Sequence, residues 1–207
     1  MFAKQLTAAF VLATLAFGTP IEVQTRQSCS ALQLVHVAGT TEIGLGLVGT
    51  PLSVSLALAI PGTTTKSIIY DTSAEYVVTV AAGAAITAGY LAVQAARCPN
   101  QRFVLSGYSK GALVLHSTNL SSGLKSKIAS ILVFGDPARN INSPWPINSP
   151  SVDLAPRDGS SSTQNIASFC NQFDLFCAIP GLSLPAHLAY ATDGSIATAV
   201  KFVKERA

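Results

Sequence analysis

Gly107-Tyr108-Ser109-Lys110-Gly111 follows the apolar run Phe103-Val104-Leu105 and leads into Ala112-Leu113-Val114-Leu115. The apolar run predicts a buried strand, and the residues beyond the pentapeptide can continue as a helix. Gly-x-Ser-x-Gly between a strand and a helix is the form of a nucleophile elbow, which lifts a serine hydroxyl above the end of a sheet. The two glycines allow neighbouring backbone to pass where a Cβ would obstruct it. Taken alone the pentapeptide is weakly specific, because Gly and Ser are common in turns.

Working outward, Leu32-Gln33-Leu34-Val35-His36-Val37 reads as a buried strand that runs into a turn at Gly39-Thr40-Thr41-Glu42. Leu52 to Ile60 predicts a helix with Pro51 in its first turn and Pro61-Gly62 ending it. Ser67-Ile68-Ile69-Tyr70 is a second short strand. Tyr76 to Ala96 carries no charge, yet it consists mainly of Ala, Gly, Thr and Val and is only mildly hydrophobic beside a Leu-rich span. Glu75 and Arg97 flank it with the signs that suit a helix dipole. It reads as a buried crossover helix packed closely through Gly83 and Gly89, and no stable membrane insertion is expected.

Beyond the elbow, Ile128 to Phe134 reads as a strand ending in Gly135-Asp136-Pro137. Residues 138–162 are rich in Pro, Asn and Ser and read mostly as loop. Asn165 to Phe169 is a short strand, and Gly194 to Arg206 a terminal helix. Strands alternating with helices imply an α/β fold with a parallel sheet covered on both faces. No internal repeat and no second domain is evident.

The first residues read as an export signal. Lys4 supplies a positive start, Leu6 to Phe17 are almost wholly apolar, and Ala16-Phe17-Gly18 offers a cleavage site. That run is too short to span a bilayer. The expected organisation is a signal peptide at 1–18, an N-terminal extension at 19–28 and one α/β domain at 29–207. Net charge is +3, one unit less once Lys4 is removed, and no basic cluster exists, so nucleic acid is not an expected partner. Only 11% of residues are charged, which suits a secreted, extracellular protein acting at apolar material. Asn119-Leu120-Ser121 is a possible glycan acceptor.

Four cysteines in an exported chain predict two disulfides. Cys170 and Cys177 are close enough to clip one loop, and Cys29 and Cys98 would join the N-terminus to the segment before the elbow. Spacing alone leaves other pairings open. No metal site is expected, since the cysteines are better used as disulfides and the three histidines lack ligand spacing. The Gly44-Leu45-Gly46 run lacks the third glycine of a phosphate loop, and no cofactor is expected.

A serine nucleophile needs a base, and the base an orienting carboxylate. Asp174 lies inside the cysteine-bracketed Cys170-Asn171-Gln172-Phe173-Asp174-Leu175-Phe176-Cys177, where a small ring would hold it stiffly. His187, in Pro185-Ala186-His187-Leu188-Ala189-Tyr190, is the candidate base, in a loop before the last helix. The order Ser, Asp, His is that of the α/β-hydrolases. Asp136, Asp153 and Asp158 are rival carboxylates, Asp136 first among them, although Pro137 points to a structural turn. His36 reads as a satisfied core residue, and His116 lies two helical turns beyond Ser109, pointing away from the mouth. Tyr108 reads as packing. Trp145, Pro146, Leu182 and Leu184 are candidates for lining a substrate groove.

These residues resemble the cutinase family of serine esterases over essentially the whole chain from Cys29 to the terminal helix. The resemblance rests on Gly39-Thr40-Thr41-Glu42, Arg97-Cys98-Pro99, the elbow, Phe134-Gly135-Asp136-Pro137, the bracketed Asp174 and the His187 segment. It implies a three-layer α/β-hydrolase sandwich with a central parallel sheet and no large lid. It further implies Ser109 as nucleophile, His187 as base and then acid, and Asp174 as the orienting group. The oxyanion hole would be formed by the Lys110 amide with the Thr40 amide and hydroxyl. The disulfides it implies are Cys29–Cys98 and Cys170–Cys177. Two positions depart from the family pattern. Lys110 stands where Gln is usual and would bring an ammonium near the base, and Ala38 stands where Arg is frequent, removing a possible anchor for the oxyanion segment.

By that resemblance the expected substrate is cutin or a similar short-to-medium acyl ester met at an apolar surface, hydrolysed by a monomer. Two other readings compete: a catalytically silent hydrolase-fold binding factor, which a complete triad opposes, and an acetyl-xylan-type carbohydrate esterase, which the apolar loop residues oppose.

Overall fold

Six strands, all parallel, form one sheet in the order β2-β1-β3-β4-β6-β5. The computed structural model describes residues 29–207; the expected signal peptide and extension lie outside the described residues. In chain order the elements are β1 (Leu32–Val37), α1 (Gly46–Ala59), β2 (Thr64–Ser67), α2 (Val77–Arg97), β3 (Arg102–Tyr108), α3 (Lys110–Ser117), α4 (Ser122–Lys125) and β4 (Ile128–Phe134). They continue with β5 (Val152–Asp153), β6 (Ile166–Phe169), α5 (Leu184–Leu188) and α6 (Ser195–Lys204).

The continuous apolar character of the strands follows from burial on both faces. Successive side chains alternate between two cores. Leu34, Val104, Leu132 and Phe134 face the layer that includes Leu52 and Leu56 of α1 and Phe202 and Val203 of α6. Val35, Val37, Leu105 and Val133 face the layer that includes Leu91 of α2 and Val114 and Leu115 of α3. The result is a three-layer α/β sandwich. After β1 the chain steps to β2, then crosses back to β3 on the opposite side of β1. The ends of β1 and β3 therefore flank the point where the winding reverses, which is where open α/β sheets place their ligands.

Several elements differ from the sequence reading. Helix α1 begins at Gly46, not near Leu52, and encloses Pro51. As the sixth residue of the helix, Pro51 withholds the amide that would have bonded the Leu47 carbonyl. At the helix start Glu42 Oε1 accepts from the Leu47 amide at 2.7 Å, a cap that the N-cap residue Leu45 cannot supply. Strand β2 lies at Thr64–Ser67, with its pairing to β1 continued by the Ile68 amide to the His36 carbonyl. The segment 138–162 contains the short β5 and a turn of 3-10 helix at Pro156–Asp158.

Helix α2 forms as expected, but only six of its 21 residues are buried. A Cβ at Gly83 would come within 2.8 Å of the Tyr70 ring, so this glycine does permit close packing; Gly89 faces open space and has no such role. Among the described residues α2 is the one helix long and apolar enough to cross a membrane. It lies against α3 through its buried stripe and leaves Val78, Ile86 and Val93 exposed. Disulfides join Cys29 to Cys98 and Cys170 to Cys177. The first anchors the start of β1 to the end of α2.

Candidate active site

Ser109 stands between β3 and α3 at φ 52°, ψ −117°, a conformation non-glycine residues adopt rarely. The turn is tight enough to explain both flanking glycines. A Cβ at Gly107 would lie 2.6 Å from the Gly111 carbonyl, and one at Gly111 2.0 Å from the Val37 carbonyl. The Ser109 amide donates to the Phe134 carbonyl at 2.9 Å, fixing the elbow to the end of β4.

Asp174 and His187 both come from the chain beyond β6, Asp174 from a loop and His187 from the short helix α5. The carboxylate is fully buried, and both its oxygens lie 2.9 Å from His187 Nδ1. Oδ1 also accepts from the Phe176 amide at 2.8 Å, and Oδ2 accepts from the Tyr190 hydroxyl. Burial alone would raise the Asp174 carboxyl. The bonds from His187, Tyr190 and the Phe176 amide outweigh it and hold the group below the ordinary carboxylate range. The Cys170–Cys177 bridge closes the loop around Asp174.

His187 is found in the short helix α5 and not in a loop; Ser183 caps that helix by accepting from the Ala186 amide. Its ring stacks on Tyr108 at 5.0 Å between centroids and meets Phe176 at 4.5 Å. Tyr108 also donates its hydroxyl to the His187 carbonyl at 2.9 Å, so it does more than pack. Gly135 fills the remaining side; a Cβ there would sit 2.5 Å from the imidazole. The residue before Ser109 and the residue after Phe134 thus fix the imidazole beside the elbow.

Thr40 lies just beyond β1, with its Oγ1 2.6 Å from the Tyr76 hydroxyl. The segment around it is braced without an arginine at Ala38. The Ala38 carbonyl accepts from the Tyr70 hydroxyl at 2.7 Å, and Glu42 Oε2 accepts from the Gly39 amide at 2.6 Å. The Lys110 side chain is buried and turns toward residues 71–75, hydrogen-bonding there and not at His187.

The rival residues are used elsewhere. His116 Nε2 lies 2.9 Å from Asp136 Oδ2 and its Nδ1 2.7 Å from the Pro144 carbonyl. Asp136 Oδ1 accepts from the Ala138 amide in a turn. Trp145 packs on His116 at 3.9 Å and lines a cavity of about 490 Å³ whose walls include none of Ser109, Asp174 and His187; Pro146 is buried. Asp153 caps the Ala155 amide, and Asp158 belongs to the 3-10 turn. His36 is only half satisfied: Nδ1 meets Ser106 Oγ at 3.0 Å, and Nε2 has no partner among the described residues. No cluster of three or more His, Cys, Asp or Glu able to hold a metal occurs among the described residues. Leu182 and Leu184 are exposed, with Phe173, Leu175, Phe176 and Ile179, along the segment that carries Asp174 and leads into α5.

Sequence reasoning missed Tyr190, Tyr76, Tyr70 and Glu42. Tyr190 lies three residues beyond His187, a spacing that puts two helical side chains on one face. That signal was available. Nothing local marks Tyr70 or Tyr76 as partners of Ala38 and Thr40, since 32 and 36 residues separate them.

Comparison with known proteins agrees with this architecture. The family model described as Cutinase matches residues 28–207. A cutinase of Coprinopsis cinerea is 32% identical, with 88% of this chain and 92% of that protein covered. A cutinase of Kineococcus radiotolerans is 31% identical over 84% of this chain, which spans 61% of that longer relative. Among solved structures, a Trichoderma reesei cutinase bound to a phosphonate inhibitor superposes with TM-score 0.66 at 25% identity, covering 84% of this chain and 77% of that one. The catalytic core of an acetyl xylan esterase from Trichoderma reesei gives TM-score 0.70 at 23% identity over 87% of this chain and 100% of that one, a likeness of fold. The chain belongs to the cutinase family and is a carboxylic ester hydrolase.

Proposed function

We propose that this chain is a secreted serine esterase that hydrolyses cutin or similar short-to-medium acyl esters at an apolar surface, as a monomer. The observation that carries the reading is the buried Asp174–His187 pair, held against Tyr108 and Gly135 beside the strained Ser109. With Nδ1 bonded to the carboxylate, a neutral imidazole keeps a lone pair on Nε2. That nitrogen takes the Ser109 proton as Oγ attacks the ester carbonyl. The Lys110 and Thr40 amides and the Thr40 hydroxyl stabilise the tetrahedral oxyanion. For Thr40 Oγ–H to point at the oxyanion, Tyr76 must donate to Thr40 and not accept from it. His187 returns the proton to the leaving alcohol, and water repeats the sequence on the acyl-enzyme.

The exposed apolar side chains Phe173, Leu175, Phe176, Ile179, Leu182 and Leu184 support apolar substrates over a carbohydrate ester. Residues 1–18 would direct export, and the two disulfides suit an oxidising compartment. Hydrolysis of p-nitrophenyl esters from acetate to palmitate tests the reading. Activity should peak at short-to-medium chains and vanish in Ser109→Ala. No activity from folded, disulfide-intact protein would overturn it in favour of a silent binding role.

A further inference from the structure

Lys110 follows the nucleophile, and its side chain is buried to the last atom. Its Nζ donates to the carbonyls of Asp71, Ser73 and Glu75 at 3.1, 2.5 and 2.8 Å. An ammonium has three protons, and here each meets one backbone oxygen. The rings of Tyr70 and Tyr76 lie 5.6 and 5.1 Å from it, close enough for cation–π attraction. The two nearby carboxylates are engaged elsewhere: Asp71 accepts from the Ser73 amide, and Glu75 from the Val78 and Thr79 amides. Segment 71–75 is therefore folded around this ammonium by its main chain, in a backbone course set by Lys110.

The same segment and the tyrosines that flank it, Tyr70 and Tyr76, brace residues 38–42 at four points. Tyr70 donates to the Ala38 carbonyl at 2.7 Å, and the Thr41 amide donates to the Thr72 carbonyl at 2.7 Å. The Thr72 hydroxyl donates to the Glu42 carbonyl at 2.9 Å, and the Tyr76 hydroxyl meets Thr40 Oγ1 at 2.6 Å. We infer that the Lys110 side chain is a positioning residue for the oxyanion hole, fixing Thr40 through residues 71–76. This rests on the proposed role of Thr40. One residue then serves both halves of the hole, offering its own amide and holding the loop that aims the other donor. The lysine that stands where the family usually has glutamine is thus a structural ligand and not a perturbation of the base.

The test is steady-state hydrolysis of p-nitrophenyl butyrate together with phosphorylation of Ser109 by diethyl p-nitrophenyl phosphate. Wild type is compared with Lys110→Met, Lys110→Gln, Tyr76→Phe and the double variant Lys110→Gln/Tyr76→Phe. Lys110→Met should lower kcat about 100-fold, the scale of losing one oxyanion donor, with KM within about threefold. Tyr76→Phe should cost about tenfold in kcat, the worth of one neutral hydrogen bond. Lys110→Gln, with two N–H donors, should fall between wild type and Lys110→Met. The double variant should be little worse than Lys110→Gln, because both changes act on one path. A folded Lys110→Met with wild-type kcat, or fully multiplicative losses in the double variant, would overturn the inference. If Lys110→Met does not fold, the Gln and Phe pair decides alone. A wild type that neither hydrolyses the ester nor is labelled at Ser109 would remove the esterase reading and this inference with it. An active wild type with unaffected variants removes only the latter.

Discussion

Two histidine–aspartate pairs lie buried among the described residues, and they are nearly identical in length. His187–Asp174 and His116–Asp136 both close at 2.9 Å, with both carboxylates fully inaccessible. They differ in the second ring nitrogen. His116 gives it to the Pro144 carbonyl and lies under Trp145, so both its nitrogens are occupied. His187 Nε2 makes no hydrogen bond to any of the described residues, and the ring is fixed by Tyr108, Phe176 and Gly135. On the proposed reading, the pair with both nitrogens spent is a cross-link and the pair with one nitrogen left is the proton-transfer device. Pair geometry alone does not separate the two cases.

The widest separation between them should appear on truncation. His187→Ala is expected to lower kcat at least 10⁴-fold, and Asp174→Asn by a similar factor. His116→Ala should leave kcat within about threefold and instead cost about 3 kcal/mol of unfolding free energy, because Asp136 is left buried and unpaired. Esterase assays beside urea titrations of each variant check both halves. Equal activity losses in folded His116→Ala and His187→Ala would erase the distinction.

The third histidine sharpens the contrast, because it has no carboxylate. Burial pushes the His36 imidazole down to about 3 from its ordinary 6.5. It is neutral in the fold, whereas the unfolded chain takes up a proton below 6.5, so this contribution to stability is complete above that value. It is lost progressively as pH falls from 6.5 toward 3. Between pH 7 and 4 the loss should be about 3 kcal/mol. His36→Gln should flatten that part of the profile, and an unchanged slope would contradict the assignment.

Only the His187 pair is clipped by a disulfide. Replacing Cys170 and Cys177 together by Ser should lower stability by about 2 kcal/mol on loop entropy. It should also lower kcat, while the His116 pair stays intact. Denaturant melts and rates on one preparation would show whether the two losses travel together. The smallest effect belongs to Tyr190→Phe, which removes one donor from Asp174 and should reduce kcat about tenfold. Rates indistinguishable from wild type would mean that the His187 and Phe176 bonds suffice.

Much of this was legible from the residues in order. The elbow, the parallel sheet, the clipped carboxylate loop and the downstream histidine are local patterns, and local patterns survive in a linear text. Element edges were less so. Thr64–Ser67 pairs as a strand despite three polar side chains and a lysine, because an edge position needs little apolar surface. Pro51 looked like a helix start and lies inside a helix that begins with a side-chain cap from Glu42. The bracing of the site was least legible. Tyr70, Tyr76 and Lys110 meet through contacts across 32 to 39 residues, several of them to backbone carbonyls that no side-chain pattern announces. His116 and Asp136 each looked like a rival, and what sets their pair apart is the Pro144 carbonyl, 28 residues from His116, that takes the second imidazole nitrogen.

Gly107, Gly111 and Gly135 surround Ser109 and His187, each standing where a single added carbon would collide with a carbonyl or with the imidazole. A saturation-mutagenesis screen scored on activity alone would place all three beside Ser109, Asp174 and His187. Their signature in such a screen would be intolerance of alanine itself, the smallest side chain that could replace them. Such intolerance of one added methyl would mark the vacancies of the site, whereas its reagents would be marked by the loss of a functional group.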